Sequence, residues 1–330
     1  MPKSETGHFV IDGTLEDDTI VFTTANRYSF NGTSRTVDKA LVAAGVVING
    51  GLGNDTLTGW SGPDHLNGGE GNDTLTGGGG DDILSGGAGY DTLRGGAGND
   101  TLIDADWLGG FFDGGRGTDT LDLSLSDATR GVALELASGN VFPYFRFEAN
   151  GDVTFAPGPP GEATQVVRIR DVENVIGSAG ADFLRGTVFD NRIEGGAGRD
   201  TIDGFPGNDS LFGGADADRI SGGNGNDTIF GGLGDDAITG GPGNDQLHGD
   251  GGADRFTYLP GDGQDVIFDF NKLEGDTIAW FGTEKSITLS TTTFNGLANT
   301  VVGTFSDGTS IVFAGITNFD DVAVTYPVAG

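Results

Sequence analysis

Along most of this chain one large apolar residue recurs every nine positions, with polar or small residues on either side. The stretch from Gly50 reads GGLGNDTLT, that from Gly68 GGEGNDTLT and that from Gly222 GGNGNDTIF. Copies start at Gly50, Gly59, Gly68, Gly77, Gly86 and Gly95, and again at Gly177, Gly186, Gly195, Gly204, Gly213, Gly222, Gly231, Gly240 and Gly249. One further copy from Gly114 sits off that frame, and a degenerate one, GTLEDDTIV, starts at Gly13. The eighth position is apolar without exception: Leu57, Leu66, Leu75, Leu84, Leu93 and Leu102, then Leu184, Ile193, Ile202, Leu211, Ile220, Ile229, Ile238, Leu247 and Phe256. A polar–apolar–polar triplet predicts a three-residue strand with one side chain turned inward. The glycine-rich six residues before it predict a turn, because glycine tolerates left-handed backbone angles. Turn plus strand is half a coil, so two copies make one rung of a flattened parallel roll. Rungs stack at about 4.8 Å, and a fixed period means one unit stacked many times.

The period divides the chain. Residues 1–49 form an N-terminal cap with one degenerate copy, 50–103 a first array and 104–176 an insert of longer rungs. Residues 177–270 form a second array with its closing cap, and 271–330 a β-rich C-terminal region. Within the insert, Val132, Leu134 and Leu136 alternate in one run and Val167 and Ile169 in another, as half-buried strands require. Pro157, Pro159 and Pro160 mark an exposed loop there. In the C-terminal region, TVVGTFSDGTSIVFAG predicts a hairpin about Asp307-Gly308. No long amphipathic helix is legible anywhere.

Charge decides what the roll can hold. Lys and Arg number 17 against 49 Asp and Glu, a net charge of −32. Nucleic acid and anionic membrane surfaces would repel such a chain, whereas cations would be drawn to it. Cysteine is absent, which removes disulfides and thiolate metal sites. The N-terminal MPKSETGHFVIDG has no apolar core of a cleavable signal, and no run is long enough to span a membrane as a helix.

The sixth position is Asp in every in-frame copy except that from Gly186, where Asn191 stands. Stacking therefore builds columns of carboxylates, Asp73 and Asp91 or Asp209 and Asp227 among them. Neighbours at the rung spacing repel by roughly 3 kcal/mol if the effective dielectric is near 20. Calcium resolves this, since it takes six to eight hard oxygens from carboxylates and carbonyls in flexible geometry. Magnesium demands an octahedron and keeps its waters, and zinc or copper favours His and Cys. Tight turns alone would explain Gly-Asn-Asp clusters, but not an aspartate fixed at the sixth position.

The motif GGxGxDxUx, with U a large apolar residue, resembles the haemolysin-type, or RTX, calcium-binding repeats across residues 50–270. The stretch from GGRGTDTLDLSLSDATRGVALELASGN to VENVIGSAGADFLRG looks like the longer rungs that interrupt such arrays, and GADRFTYLPGDGQDVIFDF like their closing cap. The resemblance implies an all-β fold: a right-handed parallel β-roll in two nonapeptide arrays, with longer rungs between them and a β-rich cap. It implies calcium between same-side turns of repeats n and n+2, held by aspartates and turn carbonyls. Carried onto this chain, the aspartates are Asp55, Asp64, Asp73, Asp82, Asp91, Asp100, Asp119, Asp182, Asp200, Asp209, Asp218, Asp227, Asp236, Asp245, Asp254 and Asp265. The glycines are Gly51, Gly53, Gly69, Gly71, Gly78, Gly80, Gly87, Gly89, Gly96, Gly98, Gly196, Gly198, Gly207, Gly223, Gly225, Gly232, Gly234, Gly241, Gly243 and Gly252. Asn191, Phe189, Asp216, Pro63 and Pro206 depart from the pattern. About ten divalent ions would offset most of the −32. The resemblance further implies calcium-induced folding of a secreted, extracellular protein. The type I secretion apparatus would be its partner during export, with an uncleaved signal within 271–330.

No catalytic constellation is legible: there is no H-E-x-x-H, G-x-S-x-G or phosphate-binding loop. His8, His65 and His248 read as solvated surface residues, and the chain reads as no enzyme in itself. Thr56/Thr58 and Thr74/Thr76 would stack as an ice-binding face requires, but Thr92/Arg94 breaks the ladder. The alternative reading is an adhesin or matrix module. Its carbohydrate or cell-surface contact would be the cluster Phe142, Tyr144, Phe145 and Phe147, which equally suits a packed core. A third is the calcium-binding part of an exported hydrolase.

Overall fold

The computed structural model describes residues 3–5, 8–24, 27–36, 44–105, 110–125, 132–136, 140–141, 145–147, 153–155, 168–281, 288–294, 297–304, 309–314, 316 and 324–325. Every regular element among them is a β-strand. No helix among the described residues is long and apolar enough to cross a membrane. The chain forms two compact units, residues 1–129 with 133–178, and 130–132 with 179–330.

Each unit is a parallel β-solenoid with two sheets. In the first unit one sheet runs His8–Asp12, Val46–Leu52, His65–Glu70, Ile83–Ala88, Thr101–Ile103, Thr120–Asp122 and Asn174–Ile176, all parallel. The other runs Thr19–Thr24, Thr56–Thr58, Thr74–Gly79, Asp91–Ala97, Gly110–Arg116 and Arg168–Arg170. An antiparallel pair, Arg27–Phe30 with Thr33–Thr36, continues beyond Thr19–Thr24. In the second unit, Arg192–Ala197, Ser210–Ala215, Thr228–Leu233, Gln246–Gly251, Gln264–Ile267 and Ser310–Phe313 form one parallel sheet. It closes with antiparallel Leu297–Thr304 and Thr288–Phe294. Its opposite sheet runs Phe183–Arg185, Thr201–Asp203, Arg219–Ser221, Ala237–Thr239, Arg255–Tyr258, Thr277–Trp280 and Val324–Thr325.

The register follows the sequence period. Leu57 pairs with Leu75 and Leu75 with Leu93, while Ile193, Leu211, Ile229 and Leu247 stack in turn. Every eighth-position residue of the in-frame copies is at most 2% exposed, so each rung adds one apolar side chain from either sheet to a narrow core. Burying one such side chain contributes about 1.5–3 kcal/mol. The degenerate first copy joins this stack through Ile20, which pairs with Leu57, and Val132, Leu134 and Leu136 of the insert are buried.

Two expectations need correction. Many strands are longer than a triplet: His65–Glu70 and Thr228–Leu233 run six residues, into the first three of the next turn. The turn glycines themselves pair across rungs, Gly69 with Gly51 and Gly232 with Gly214. Second, His248 is not a freely solvated histidine. Its ring is half-buried and stacks between Phe230 at 4.4 Å and Phe268 at 4.7 Å, extending a ladder that begins at Phe212. Phe142, Tyr144, Val167, Pro157, Pro159, Pro160 and the Asp307-Gly308 turn lie outside the described residues, as do the side chains of His8, Phe145 and Phe147. So does the C-terminal stretch 319–330 apart from Val324 and Thr325.

Candidate metal centres

The sixth-position aspartates form two buried columns in each unit. In the first unit Asp55, Asp73 and Asp91 follow one another, as do Asp64, Asp82, Asp100 and Asp119 on the opposite turns. In the second unit one column is Asp182, Asp200, Asp218, Asp236 and Asp254, the other Asn191, Asp209, Asp227, Asp245 and Asp265. Along each column the main-chain N–H donates to Oδ1 of the aspartate one rung on, as from Asp55 to Asp73 at 2.7 Å and from Asp209 to Asp227 at 2.8 Å, whereas Asp119 N–H donates to Glu173 Oε2 at 2.9 Å.

That hydrogen bond occupies one carboxylate oxygen. The other has no partner and is buried in thirteen of these residues: Asp55, Asp73, Asp82, Asp100, Asp119, Asp200, Asp209, Asp218, Asp227, Asp236, Asp245, Asp254 and Asp265. Its surroundings are themselves oxygen-rich. A Cβ placed on Gly68 would strike Asp73 Oδ2 and lie 2.6 Å from the Gly86 carbonyl oxygen, and one on Gly222 would strike Asp227 Oδ2 and lie 2.6 Å from Gly240 O. Carboxylate and carbonyl oxygens of successive rungs thus share one space, open only because the first residue of each copy lacks a side chain.

In most copies the state of that oxygen follows the backbone of the second residue. Gly51, Gly69, Gly78 and Gly96 have φ of +114° to +121°, and the aspartates of their copies are all unpartnered. Phe205 (φ +70°) and Asp250 (φ +62°) adopt positive φ without being glycine, and Asp209 and Asp254 are likewise unpartnered. Where the second residue does not have positive φ, its N–H turns inward. Trp60 N–H donates to Asp64 Oδ2 at 2.6 Å, and Thr187 N–H to Asn191 Oδ1 at 2.6 Å. The same closure occurs at Thr14 with Asp18 (2.5 Å). Asp64 therefore sits on its column, but with its second oxygen already bonded. Trp60→Gly is expected to release that oxygen and raise the number or affinity of calcium ions bound by the first unit, read by isothermal titration against the parent chain.

Of the glycines carried over from the repeat, all except Gly243 have positive φ. Sequence reasoning missed others. Gly115, Gly117, Gly214, Gly261 and Gly263 share the conformation. Asp18 and Asp276 extend the columns, with Asp18 N–H bonding Asp55 Oδ1 at 2.6 Å and Asp254 N–H bonding Asp276 Oδ1 at 3.0 Å. Also missed was a second ladder at the fifth position. Asn72 N–H donates to Asn54 Oδ1, Asn226 N–H to Asn208 Oδ1 and Asn244 N–H to Asn226 Oδ1, at 2.8–2.9 Å. The signal was present, since the fifth residue is Asn or Asp in most copies. These side chains knit the outer turns and leave the sixth-position carboxylates to face inward.

Burial raises the pKa of these carboxyls above the ordinary 3.8. It reaches about 6 at Asp73, Asp119, Asp227 and Asp236, about 7 at Asp82, Asp209, Asp245 and Asp254, about 8 at Asp218 and Asp265, and about 9 at Asp200. The main-chain N–H of the preceding rung lowers each of them in part. Neighbouring carboxylates raise several, as Asp182 does Asp200. Because the folded values are raised, the metal-free fold binds more protons than the unfolded chain between about pH 4 and 9. Its stability is fully present below that window and is lost as pH rises through it. The chelated chain is thus expected to gain β-structure when taken from pH 8 to pH 5, followed by circular dichroism. Apparent calcium affinity should fall over the same interval, because protons and cations compete for the same oxygens.

The donor set suits a hard divalent cation. Every candidate ligand is a carboxylate or carbonyl oxygen, with no nitrogen or sulfur among them, and the second oxygens of the thirteen aspartates named above have no proton donor. Calcium accepts this set in irregular geometry. Bound there, it would supply the positive charge that the columns need.

The RTX calcium-binding nonapeptide repeat (four copies) matches residues 47–75, 76–103, 176–204, 203–238, 221–256 and 231–267. No curated protein sequence matches the chain. Among solved structures, the extracellular lipase LipA from Serratia marcescens is similar at 20% identity and a TM-score of 0.19, over 85% of this chain and 45% of the lipase. The chain thus spans less than half the length of that protein. Of the thirteen unpartnered carboxylates, all except that of Asp119 fall within the matched ranges: residues 47–103 and 176–267 are arrays of RTX calcium-binding nonapeptide repeats.

Proposed function

We propose that this chain is a calcium-gated folding device of a secreted, extracellular protein. The observation that carries this reading is the set of thirteen buried carboxylate oxygens without a partner. An unpaired buried charge is costly, and a narrow core of single apolar residues per half-rung does little to offset a column of them. At low cytosolic calcium the columns oppose folding and leave an extended chain suited to export through a type I apparatus. At extracellular calcium each ion stabilises the folded form by mass action, about 2.7 kcal/mol for a site at a hundred times its dissociation constant.

Limited proteolysis tests this reading. The full chain should be degraded throughout in chelator and should yield protected fragments spanning 47–103 and 176–267 in millimolar calcium. Equal protection in both conditions would remove the gating. The export step is tested separately, by asking whether residues 271–330 carry a passenger out of cells that hold a type I exporter.

A further inference from the structure

Where the second array passes to its closing strands, one turn carries side chains that the nonapeptide pattern does not ask for. Second places hold glycine in most copies, yet Asp250 stands there with φ +62°, in the left-handed region that glycine favours. First places hold glycine in every in-frame copy, yet Asp269 stands one rung on from Gly249. The main chain of that turn fixes both its oxygens: Gly249 N–H donates to Oδ1 at 3.0 Å and Asp250 N–H to Oδ2 at 2.9 Å. The ring of His248 lies between those of Phe230 and Phe268, tilted only 14° and 3° from them, so the imidazole keeps its plane. Its Nδ1 is 3.9 Å from Asp269 Oδ2. One ligand atom from each of His248, Asp250 and Asp269 lies within 4.8 Å of the other two.

A hydrogen bond between the imidazole and Asp269 does not account for this arrangement, because 3.9 Å is too long for one. Nor do the calcium columns, whose aspartates occupy the sixth place. His248 is at the ninth place, on the outer face of its strand, and its side chain and that of Asp269 are 23% and 29% exposed, so an ion can reach them from solvent. One imidazole nitrogen with two carboxylates is a donor set for a borderline cation such as zinc, not for calcium. Two atoms bound to one zinc ion stand at most about 4.2 Å apart. The imidazole and Asp269 already satisfy this, and the exposed Asp250 carboxyl can rotate to join them. We propose that His248, Asp250 and Asp269 form a separate site for a divalent transition-metal ion of the zinc type, with solvent completing its shell. The main-chain bonds to Asp269 are the outer support that orients a metal-binding carboxylate. An ion there ties the turn at residues 248–250 to the segment that leads into the closing strands. The site uses none of the column carboxylates, so it stands apart from the calcium reading.

The test is a zinc titration of the full chain in saturating calcium, by isothermal calorimetry, comparing the parent with His248→Phe and Asp250→Gly. Both variants suit the fold: phenylalanine continues the ladder of rings, and glycine restores the residue that tolerates positive φ. The parent is expected to bind one zinc ion, and each variant to bind it at least about tenfold more weakly, since losing even an outer-shell partner costs about 10–100-fold in affinity. Zinc should also raise the melting temperature of the calcium-loaded parent and leave those of the variants unchanged. No zinc bound by the calcium-loaded parent, or undiminished binding in either variant, would overturn the proposal. So would a zinc ion that the parent loses as calcium is raised, because that ion would lie on the columns.

Discussion

Asp227→Asn is expected to destabilise the calcium-loaded chain and stabilise the calcium-free one. Asp227 sits mid-column, accepting from Asp209 N–H at 2.8 Å on Oδ1 and sending its own N–H to Asp245 at 2.9 Å. Asparagine keeps an acceptor for the first bond and leaves the second untouched. What it removes is the charge on Oδ2, which is buried with no partner. If calcium fills the column that charge is a ligand, and deleting one partner of a buried charge pair costs about 3–5 kcal/mol. In chelator the charge is only a desolvation penalty, already visible as a carboxyl raised to about 6, and its deletion favours folding. Thermal melts of parent and variant in the two conditions should therefore shift in opposite directions. A variant less stable in both would mean that Asp227 serves the turn through hydrogen bonding alone.

The second large effect is steric. Gly225 has φ +139°, a region that residues with a side chain avoid, at a cost of about 1–3 kcal/mol. Its Cβ would also lie 2.7 Å from the Gly207 carbonyl carbon and collide with that carbonyl's oxygen, so the rung spacing must open locally. Gly225→Ala is expected to cost more than about 3 kcal/mol in calcium and to weaken ion binding between the rungs it separates. Gly251→Ala supplies the control. There the nearest atom to a new Cβ is a Leu233 methyl at 3.6 Å and φ is ordinary, so the change should stay within about 0.5 kcal/mol. Similar losses for the two variants, measured by calorimetry, would contradict this account of the turn.

The arrays were legible because two residues per copy carry separate messages. Leu75 or Ile229 at the eighth place declares the inward strand, and Asp73 or Asp227 at the sixth declares the column; both stand where the period puts them. Less legible was the part played by backbone direction. Trp60 and Phe205 occupy the same second position and neither is glycine. Only Trp60 turns its N–H onto the aspartate, because φ at Phe205 is +70°. Residue type alone does not distinguish them. The strand lengths were missed for a related reason, since glycines read as turn also pair across rungs, as Gly69 does with Gly51. His248 was misread because its neighbours in the stack, Phe230 and Phe268, lie one rung away and not beside it in sequence.

The central claim is that cations hold these columns together. Circular dichroism of the full chain at pH 7.5, titrated with calcium from excess chelator, tests it most directly. The account predicts a largely unstructured chain in chelator and a steep gain of β-structure with calcium, reversed when chelator is restored and not reproduced by equal magnesium. A chain already β-structured in chelator at that pH, and unchanged by calcium, would contradict it.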